Sequence, residues 1–364
     1  MSLRGLQLDY PLFVAEFLDK DHVIVGGGGG EGNHGIPNKL SVIKVKGPDD
    51  PKKISEIVLS KKEDNPTSLA IFDKNTIFAG VNSNSEALKS GKNQHLRLFS
   101  LSDDKEKWTE TKSAQIFEDV GLLDYQKGAL AVPKHKSVIL TNSTAPGYVY
   151  SIDAKDHAVN FKEKTEGEIN SISLSLDESK FVYVTDKTLV VANSADGKHI
   201  FNSESIKGET FSRAAFLKSS AVVAAIAVGA KDGIKLVKMH GEKFEEVSFS
   251  SFKNLKKVTA LACYDKYIFT AHQDLSLSIF SAETLRLLKT YKEAHEFAIT
   301  RVALNKDETM AVSVSASNTL GVIDIPADGN FGGNKLFDII ILTILILFVA
   351  IAYQKIAGTR QWQL

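Results

Sequence analysis

A short strand pattern recurs seven times along the chain, and this repetition constrains the fold more than any other feature. Each copy alternates apolar residues with small or polar ones, and successive copies begin 40 to 56 residues apart. The copies are KLSVIKV from Lys39, HLRLFSL from His95, YVYSID from Tyr148, TLVVANS from Thr188, GIKLVKM from Gly233, LSLSIFS from Leu275 and TLGVIDI from Thr319. A period of this length with several short strands per repeat is typical of a β-propeller. The sequence therefore predicts an all-β fold with seven blades.

The last repeat shows the pattern most clearly and resembles a degenerate WD repeat. His295 stands where such a repeat has its histidine, and Ile323-Asp324 replaces the usual Trp-Asp pair. We therefore interpret His295 and Asp307 as structural turn residues rather than catalytic ones. Three strands separated by polar turns are predicted in this repeat, at 299–304, at 310–315 and from Thr319.

The last blade has no fourth strand within its own repeat. Its final motif ends at Ile325, and turn and linker residues follow from Pro326 to Gly333. The segment Leu6–Pro11 is free to supply the missing strand, and closing the ring in this way removes the exposed sheet edges that invite aggregation. Residues 1–332 are accordingly predicted to form one closed, WD-like propeller.

A continuous apolar run lies near the C-terminus. Residues 339–353 read IIILTILILFVAIAY without a charge, and Leu336 and Phe337 extend the run to about the length that spans hydrocarbon. A buried core helix is the alternative, but a core helix of this length is expected to keep a polar face. No signal peptide is recognisable at the N-terminus. We therefore expect a cytosolic propeller, a transmembrane helix at 336–353 and a short lumenal tail at 354–364.

Composition narrows the classes of function. The 44 basic and 44 acidic residues balance, which argues against nucleic acid as a partner, because nucleic-acid binding carries a basic surplus. The nine histidines form no HxxxH or HExxH cluster, and no GxSxG motif is present, so an enzyme and a small-molecule substrate find little support. The single cysteine, Cys263, excludes an intrachain disulfide and suits a reducing compartment.

The glycine-rich segment Gly26–Leu40, GGGGGEGNHGIPNKL, is the most unusual part of the chain and follows the apolar strand His22–Val25. A phosphate-binding loop is excluded because no Gly-Lys-Ser/Thr follows. The dinucleotide fingerprint GxGxxG is matched at Gly30–Gly35, but a strand follows it instead of the helix that would hold the pyrophosphate.

Two interpretations of this segment remain open from the residues alone. A flexible linker is one, although Ile36, Pro37 and Asn38 are not typical linker residues. An ordered protruding loop is the other, and its backbone carbonyls would converge on a cation. Only one acidic residue, Glu31, lies in the loop, which disfavours magnesium or calcium, whereas backbone oxygens alone are the ligands that hold potassium.

Three segments give the chain a specific resemblance to a known family. They are the glycine-rich segment, AHEFAITRVALNKDETMAVSVSASNT from Ala294, and GKNQHLRLF from Gly91. Together with the propeller pattern and the apolar run, they resemble the ER membrane guanine nucleotide-exchange factors for the Sar-type small GTPase of the COPII coat. These are the prolactin regulatory element-binding protein family of WD-like propellers, and the resemblance covers essentially the whole chain.

This resemblance implies a regulator of a GTPase rather than an enzyme. The chain would activate the Sar-type GTPase at the ER membrane and so start COPII assembly and ER-to-Golgi budding. Its propeller would face the cytosol, and the resemblance leaves open whether the protein cycles to the early Golgi. A membrane-tethered scaffold without exchange activity remains the alternative. In the family the glycine loop binds potassium and projects against the GTPase. Carried over, the loop tip that contacts the GTPase is Ile36, Pro37 and Asn38, and the potassium-shaping backbone is Gly29, Gly30, Glu31, Gly32, Asn33, His34 and Gly35.

Overall fold

The structure, a computed structural model, describes residues 3–32, 34–47, 50–118, 121–217, 221–229, 232–331 and 343–353. Within these residues the strands form seven four-stranded antiparallel sheets. In chain order the strands are β1 (Arg4–Gln7), β2 (Leu12–Phe17), β3 (His22–Gly27), β4 (Lys39–Lys44), β5 (Lys52–Val58), β6 (Glu63–Ile71), β7 (Thr76–Ser83), β8 (Leu96–Leu101), β9 (Trp108–Ala114), β10 (Gln126–Val132), β11 (Ser137–Asn142), β12 (Tyr148–Asp153), β13 (Val159–Lys164), β14 (Ser171–Leu174), β15 (Lys180–Val184), β16 (Thr188–Asn193), β17 (His199–Glu204), β18 (Glu209–Phe216), β19 (Val222–Val228), β20 (Ile234–His240), β21 (Glu246–Phe252), β22 (Val258–Cys263), β23 (Tyr267–His272), β24 (Leu277–Ser281), β25 (Leu287–Tyr291), β26 (Ile299–Leu304), β27 (Met310–Ser315) and β28 (Thr319–Asp324).

Each sheet is one blade, and the seven blades confirm the predicted propeller. Blade 1 consists of β2 to β5, blades 2 to 6 follow in sequence, and blade 7 combines β26 to β28 with β1. The first strands of neighbouring blades contact one another around the ring, and β26 of blade 7 contacts β2 of blade 1. All seven copies of the recurring motif lie on the third strands of the blades.

Burial explains why the third strands carry the clearest sequence signal. In the third strands β4 and β24 every residue except the last is buried, because inner strands are covered on both faces by the neighbouring blades. Outer strands such as β13 alternate between exposed and half-buried residues. The apolar core consists of clusters between adjacent blades, and Val14, Leu40, Leu69 and Phe99 belong to the cluster between blades 1 and 2. A strand that is buried on both faces produces a nearly continuous apolar run in the sequence, whereas a partly exposed outer strand does not.

The N-terminal strand closes the ring, as predicted, but with different bounds. Strand β1 pairs antiparallel with β28, with Arg4 opposite Val322 and Gln7 opposite Thr319. The predicted segment Leu6–Pro11 therefore overlaps the strand only at its start. Leu8 and Tyr10 instead turn inward and are buried in the cluster between blades 7 and 1. Their large apolar side chains favour this crossing path over continued pairing at the sheet edge.

The antiparallel order places the loops on two opposite faces of the ring. Loops that join the second strand of a blade to its third, and loops that lead from one blade to the next, lie on one face. We call it the glycine-loop face, because residues 28–38 join β3 to β4 there. The polar insertion 82–93 lies on this face in blade 2 and contains the short helix α1 (Ser85–Lys89), which the sequence had not predicted.

His295 has the structural role predicted for it. Its ring is buried, with Nδ1 2.6 Å from Thr319 Oγ1 and Nε2 2.7 Å from Ser313 Oγ. Burial lowers the pKa of His295 to about 4, so the ring is neutral at physiological pH. Asp307 Oδ1 accepts a hydrogen bond from Thr309 Oγ1 at 2.8 Å in the neighbouring turn.

The chain from Ile325 onward forms a unit separate from the propeller. Residues 343–353 are helical, with exposed side chains. Among the described residues, no helix combines the length and apolar character needed to cross a membrane. The first part of the predicted span 336–353, the predicted tail 354–364 and Asn33 of the glycine loop lie outside the described residues.

Removing residues 1–7 is expected to destabilise the propeller. The deletion leaves one edge of β28 without a paired strand and removes the two 2.8 Å hydrogen bonds between Arg4 and Asp324. An exposed strand edge invites intermolecular pairing, so we expect a lower unfolding temperature and aggregation, measured by calorimetry and light scattering of the full chain in detergent. Removal of residues 1–2 alone is the control. If the longer deletion unfolds like the control, β1 does not stabilise the ring.

Candidate functional site

The glycine loop leaves the propeller from two paired strands. Gly27 lies opposite Lys39 in the β3–β4 register, and Gly28 N donates to Pro11 O at 3.0 Å. Gly29 N donates to Ile36 O at 3.1 Å, which continues the pairing for one more step. Gly26 and Gly27 belong to β3, so the strand is longer than the predicted His22–Val25. The loop therefore begins on an ordered neck, which contradicts the linker interpretation.

The side chain of Asn38 holds the loop to blade 2. Gly30 N donates to Asn38 Oδ1 at 2.9 Å, and Asn38 Nδ2 donates to Gly30 O at 3.0 Å and to Glu63 O at 2.9 Å. Asn38 is completely buried. Its predicted position at the exposed tip of the loop is therefore wrong. Both the donor and the acceptor group of its amide are used inside the protein.

Glycine is required where the loop passes Asn38. Gly28 has φ +147°, and a Cβ at this position would lie 2.3 Å from Asn38 Oδ1. Gly30 has φ +76°, which L side chains rarely adopt. Such close approach and left-handed backbone explain why a run of glycines is found here.

The exposed apex of the loop differs from the predicted tip. Glu31, Gly32, His34 and Gly35 are exposed, whereas Ile36 and Pro37 are half-buried. Ile36 packs against the apolar cluster between blades 7 and 1. Of the stretch assigned to the cation, Glu31, Gly32, His34 and Gly35 are therefore exposed, whereas Gly29 and Gly30 lie in the neck of the loop. The stretch assigned to the partner lies deeper than these exposed residues.

Helix α1 lies beside the apex. Ser85 Oγ donates to Glu31 Oε1 at 2.7 Å and joins the loop of blade 1 to the insertion of blade 2. Asn84 caps the helix, because its side chain accepts from Ala87 N at 2.9 Å. Sequence analysis missed this contact, and the signal that pointed to it was the polar insertion 82–93 in the long first repeat.

Two side-chain oxygen atoms of blade 2 lie close to Gly30. A Cβ built there would lie 3.1 Å from Asp64 Oδ1 and 3.5 Å from Asn65 Oδ1, so two side-chain oxygens from blade 2 face this glycine. Among the described residues, no three His, Cys, Asp or Glu side chains form a group that could hold a metal ion. A cation at this point would therefore depend on backbone and amide oxygens with one carboxylate. Such a donor set fits a cation that prefers oxygen ligands.

Ion pairs that involve the buried Lys39 and Arg97 link the strands below the loop to their neighbours. Lys39, only 6% exposed, lies 2.7 Å from Asp9 and 3.2 Å from Glu56. Burial alone would lower the pKa of Lys39, but its hydrogen bonds to Asp9 and Glu56 outweigh burial and raise it. Arg97 Nη1 lies 2.6 Å from Glu63 Oε1, beside the carbonyl that Asn38 binds. These pairs tie β4 and β6 to their neighbours, so the base of the loop cannot move independently.

Comparison with known proteins supports the family resemblance. The chain is 29% identical over 359 residues to guanine nucleotide-exchange factor SEC12 of Candida glabrata, covering 94% of this chain and 77% of that protein. It is 26% identical to SED4 of Candida glabrata and 24% identical to SED4 of Saccharomyces cerevisiae. It covers only 35% and 33% of those two proteins, while 95% of this chain is matched in each. No family model matches the chain.

These matches confirm the resemblance that the glycine loop indicated. The curated homologues of the chain are SEC12 and SED4 guanine nucleotide-exchange factors. The fold is the seven-bladed propeller that the resemblance implied. Proteins of this class regulate a GTPase.

Replacing Asn38 with alanine is expected to loosen the loop and lower stability. The change leaves Gly30 N, Gly30 O and Glu63 O without their partner, and an unsatisfied buried polar group costs about 1–3 kcal/mol. Chemical denaturation measures the loss of stability, and faster amide hydrogen exchange at Gly30 measures the loss of order. The control is Asn160→Ala on the outer strand β13, which removes a single 3.3 Å hydrogen bond to Ser151. Equal stability of both variants would contradict the role assigned to Asn38.

Proposed function

We propose that the chain is a guanine nucleotide-exchange factor that activates the Sar-type small GTPase at the ER membrane. In this role it starts COPII coat assembly and ER-to-Golgi vesicle budding. The observation that carries the proposal is the glycine loop, which protrudes from the propeller yet is fixed at its base by Asn38. Its exchange-factor homologues support the same class of activity.

Nucleotide exchange needs a preformed element rather than an acid, a base or a nucleophile. An exchange factor shifts the equilibrium only if it binds the nucleotide-free GTPase more tightly than the loaded form. A loop that is already ordered loses little conformational entropy when it meets its partner. The exposed apex residues Glu31, Gly32, His34 and Gly35 and the half-buried Pro37 beside them are the described parts of the loop that a GTPase would reach first.

We further propose that potassium binds within the loop. Backbone oxygens of residues 29–35, with Asp64 and Asn65 beside Gly30, are the groups of this chain that would hold it. The bound ion would offset the repulsion between the oxygen atoms that come together around it. Asn38 would then fix the backbone of Gly30 from one side while the ion holds it from the other.

Membrane attachment and location also belong to the proposal. The apolar run at 339–353 would anchor the chain in the ER membrane as a single transmembrane helix from residue 336 to 353. The propeller would face the cytosol, where the Sar-type GTPase is found. The residues after 353 would then lie in the lumen.

A membrane-tethered scaffold is the second candidate function. A propeller offers a broad platform for partners, and scaffolding needs no exchange activity. Gly28, Gly30 and Asn38 favour the exchange factor, because a scaffold gives no reason for a protruding loop with so many special backbone positions. A scaffold would bind loaded and nucleotide-free GTPase alike.

A nucleotide-release assay tests the exchange activity. The full chain is expected to accelerate release of a fluorescent guanine nucleotide from the Sar-type GTPase. The variant Ile36→Ala is expected to slow this accelerated release about tenfold, which corresponds to a loss of about 1.4 kcal/mol of transition-state stabilisation. Ile54→Ala, which alters a half-buried isoleucine on the outer strand β5, is the matched control. If the chain binds the GTPase but leaves release unchanged, the scaffold describes it better.

The same assay tests potassium. Replacement of potassium by the larger tetramethylammonium is expected to slow release and to speed amide hydrogen exchange at Gly30 and Gly32. Hydrogen exchange reports the order of the loop without the GTPase. If both measurements stay the same in the two salts, potassium has no part in the loop.

The membrane topology is tested with glycosylation acceptors. An acceptor added after Leu364 is expected to be modified in ER membranes, whereas the substitution Lys256→Thr, which completes an acceptor at the exposed Asn254, is expected to give no modification. The native Asn142 is unsuitable as a reporter, because its side chain is buried and donates to Asp124 Oδ2 at 3.1 Å. Modification at Asn254 would reverse the proposed topology.

A further inference from the structure

Exposed apolar side chains are distributed unevenly between the two faces of the ring. Among the described loop residues, large apolar side chains are exposed mainly on the glycine-loop face, at Leu122, Leu123, Tyr125, Ile206 and Phe297. On the opposite face the corresponding exposed residue is Leu176. Single exposed apolar residues are ordinary, but their concentration on one face marks an interaction surface.

The most exposed of these residues, Leu123, lies with its neighbour Leu122 at a groove between blades 2 and 3. Leu123 is 86% exposed and Leu122 is 52% exposed. They border a cavity of about 550 Å³ whose other walls include Phe117, Pro146 and Tyr148. We call this cavity the leucine groove. Its size and apolar walls suit an apolar side chain of a partner protein.

The leucine groove is held in place by a hydrogen-bond network around Asp124. Ser143 N and Ser143 Oγ both donate to Asp124 Oδ1 at 2.9 Å, and Asn142 Nδ2 donates to Asp124 Oδ2 at 3.1 Å. Asp124 O accepts from Asn82 Nδ2 at 2.7 Å. The two leucines therefore precede a residue that is anchored to both blades.

The leucine groove is continuous with the glycine loop. Asn82 lies in β7, which leads directly into α1, and Ser85 of α1 binds Glu31 of the loop apex. Hydrogen bonds thus connect the surface across blades 1 to 3. A partner that sits on the apex and α1 meets the leucine groove next on the same face.

We infer that the GTPase docks across this connected surface and inserts an apolar side chain into the leucine groove. The inference rests on the proposed function. A specific interface buries about 800 Å² and about 20–30 residues on each partner, which the apex of one loop and a five-residue helix cannot supply. The leucine groove provides additional apolar surface on the same side, and anchoring residues in such pockets carry most of the binding energy.

A concentration series of the nucleotide-release assay tests the docking site. Leu123→Ser is expected to raise the concentration of the full chain at half-maximal release about tenfold, while the maximal release rate is retained, because the groove adds affinity without touching the nucleotide site. Leu176→Ser on the opposite face is the matched control. Leu123 is largely exposed, so its substitution leaves the fold intact, which the unfolding temperature checks.

The outcomes separate this inference from the proposed function. If the wild-type chain accelerates release and Leu123→Ser behaves like Leu176→Ser, the docking site is wrong and the exchange activity stands. If the wild-type chain does not accelerate release, the exchange activity fails, and direct binding of nucleotide-free GTPase decides the docking site. The docking site is supported if Leu123→Ser binds the nucleotide-free GTPase more weakly than the wild-type chain while Leu176→Ser does not. It is overturned if both variants bind like the wild-type chain or if the wild-type chain does not bind. Self-association that Leu123→Ser abolishes would show that a second copy of the chain occupies the groove.

Discussion

The segment from Arg4 to Pro11 is the part of the chain on which the rest of the structure depends. Arg4 to Gln7 pair with β28 and complete blade 7, so this blade has four strands like the other six. Asp9 then neutralises the buried Lys39, and Pro11 O accepts from Gly28 N. One short segment therefore closes the propeller and holds the neck of the glycine loop. Ring stability and loop position are for this reason physically coupled.

The fold could be predicted from the sequence because the inner strands of a propeller are buried on both sides. Every residue of β27 is buried, and the spacing of the third strands, such as β4 and β24, counts the blades. The role of the N-terminal strand followed from counting strands in the last repeat. Its bounds did not, because Leu8 and Tyr10 continue the same alternation while packing between blades rather than pairing at the edge. Short alternating patterns do not distinguish these two kinds of burial.

The candidate site was predictable as a segment but not as an arrangement. The glycines marked the loop, since their backbone conformations are closed to other residues. The partners of the loop come from elsewhere: Glu63 and Asp64 lie in blade 2, and Ser85 lies in an insertion. Asn38 was expected to face a partner, because a sequence motif does not show whether an amide is buried. Contacts between residues far apart in sequence decide that question.

The loop and the leucine groove have different physical capacities. Leu122 and Leu123 border the groove, and on the proposed docking a contact there would tighten binding of every nucleotide state of the partner alike. The loop apex is narrow and fixed by Asn38, so it contributes little area but has a defined position. A contact of defined position can favour one state of the partner over another, provided that its affinity differs between the two states. Because such a contact gains little affinity from its small area, a loop of this form needs a broad neighbouring surface to hold the partner in place while it acts.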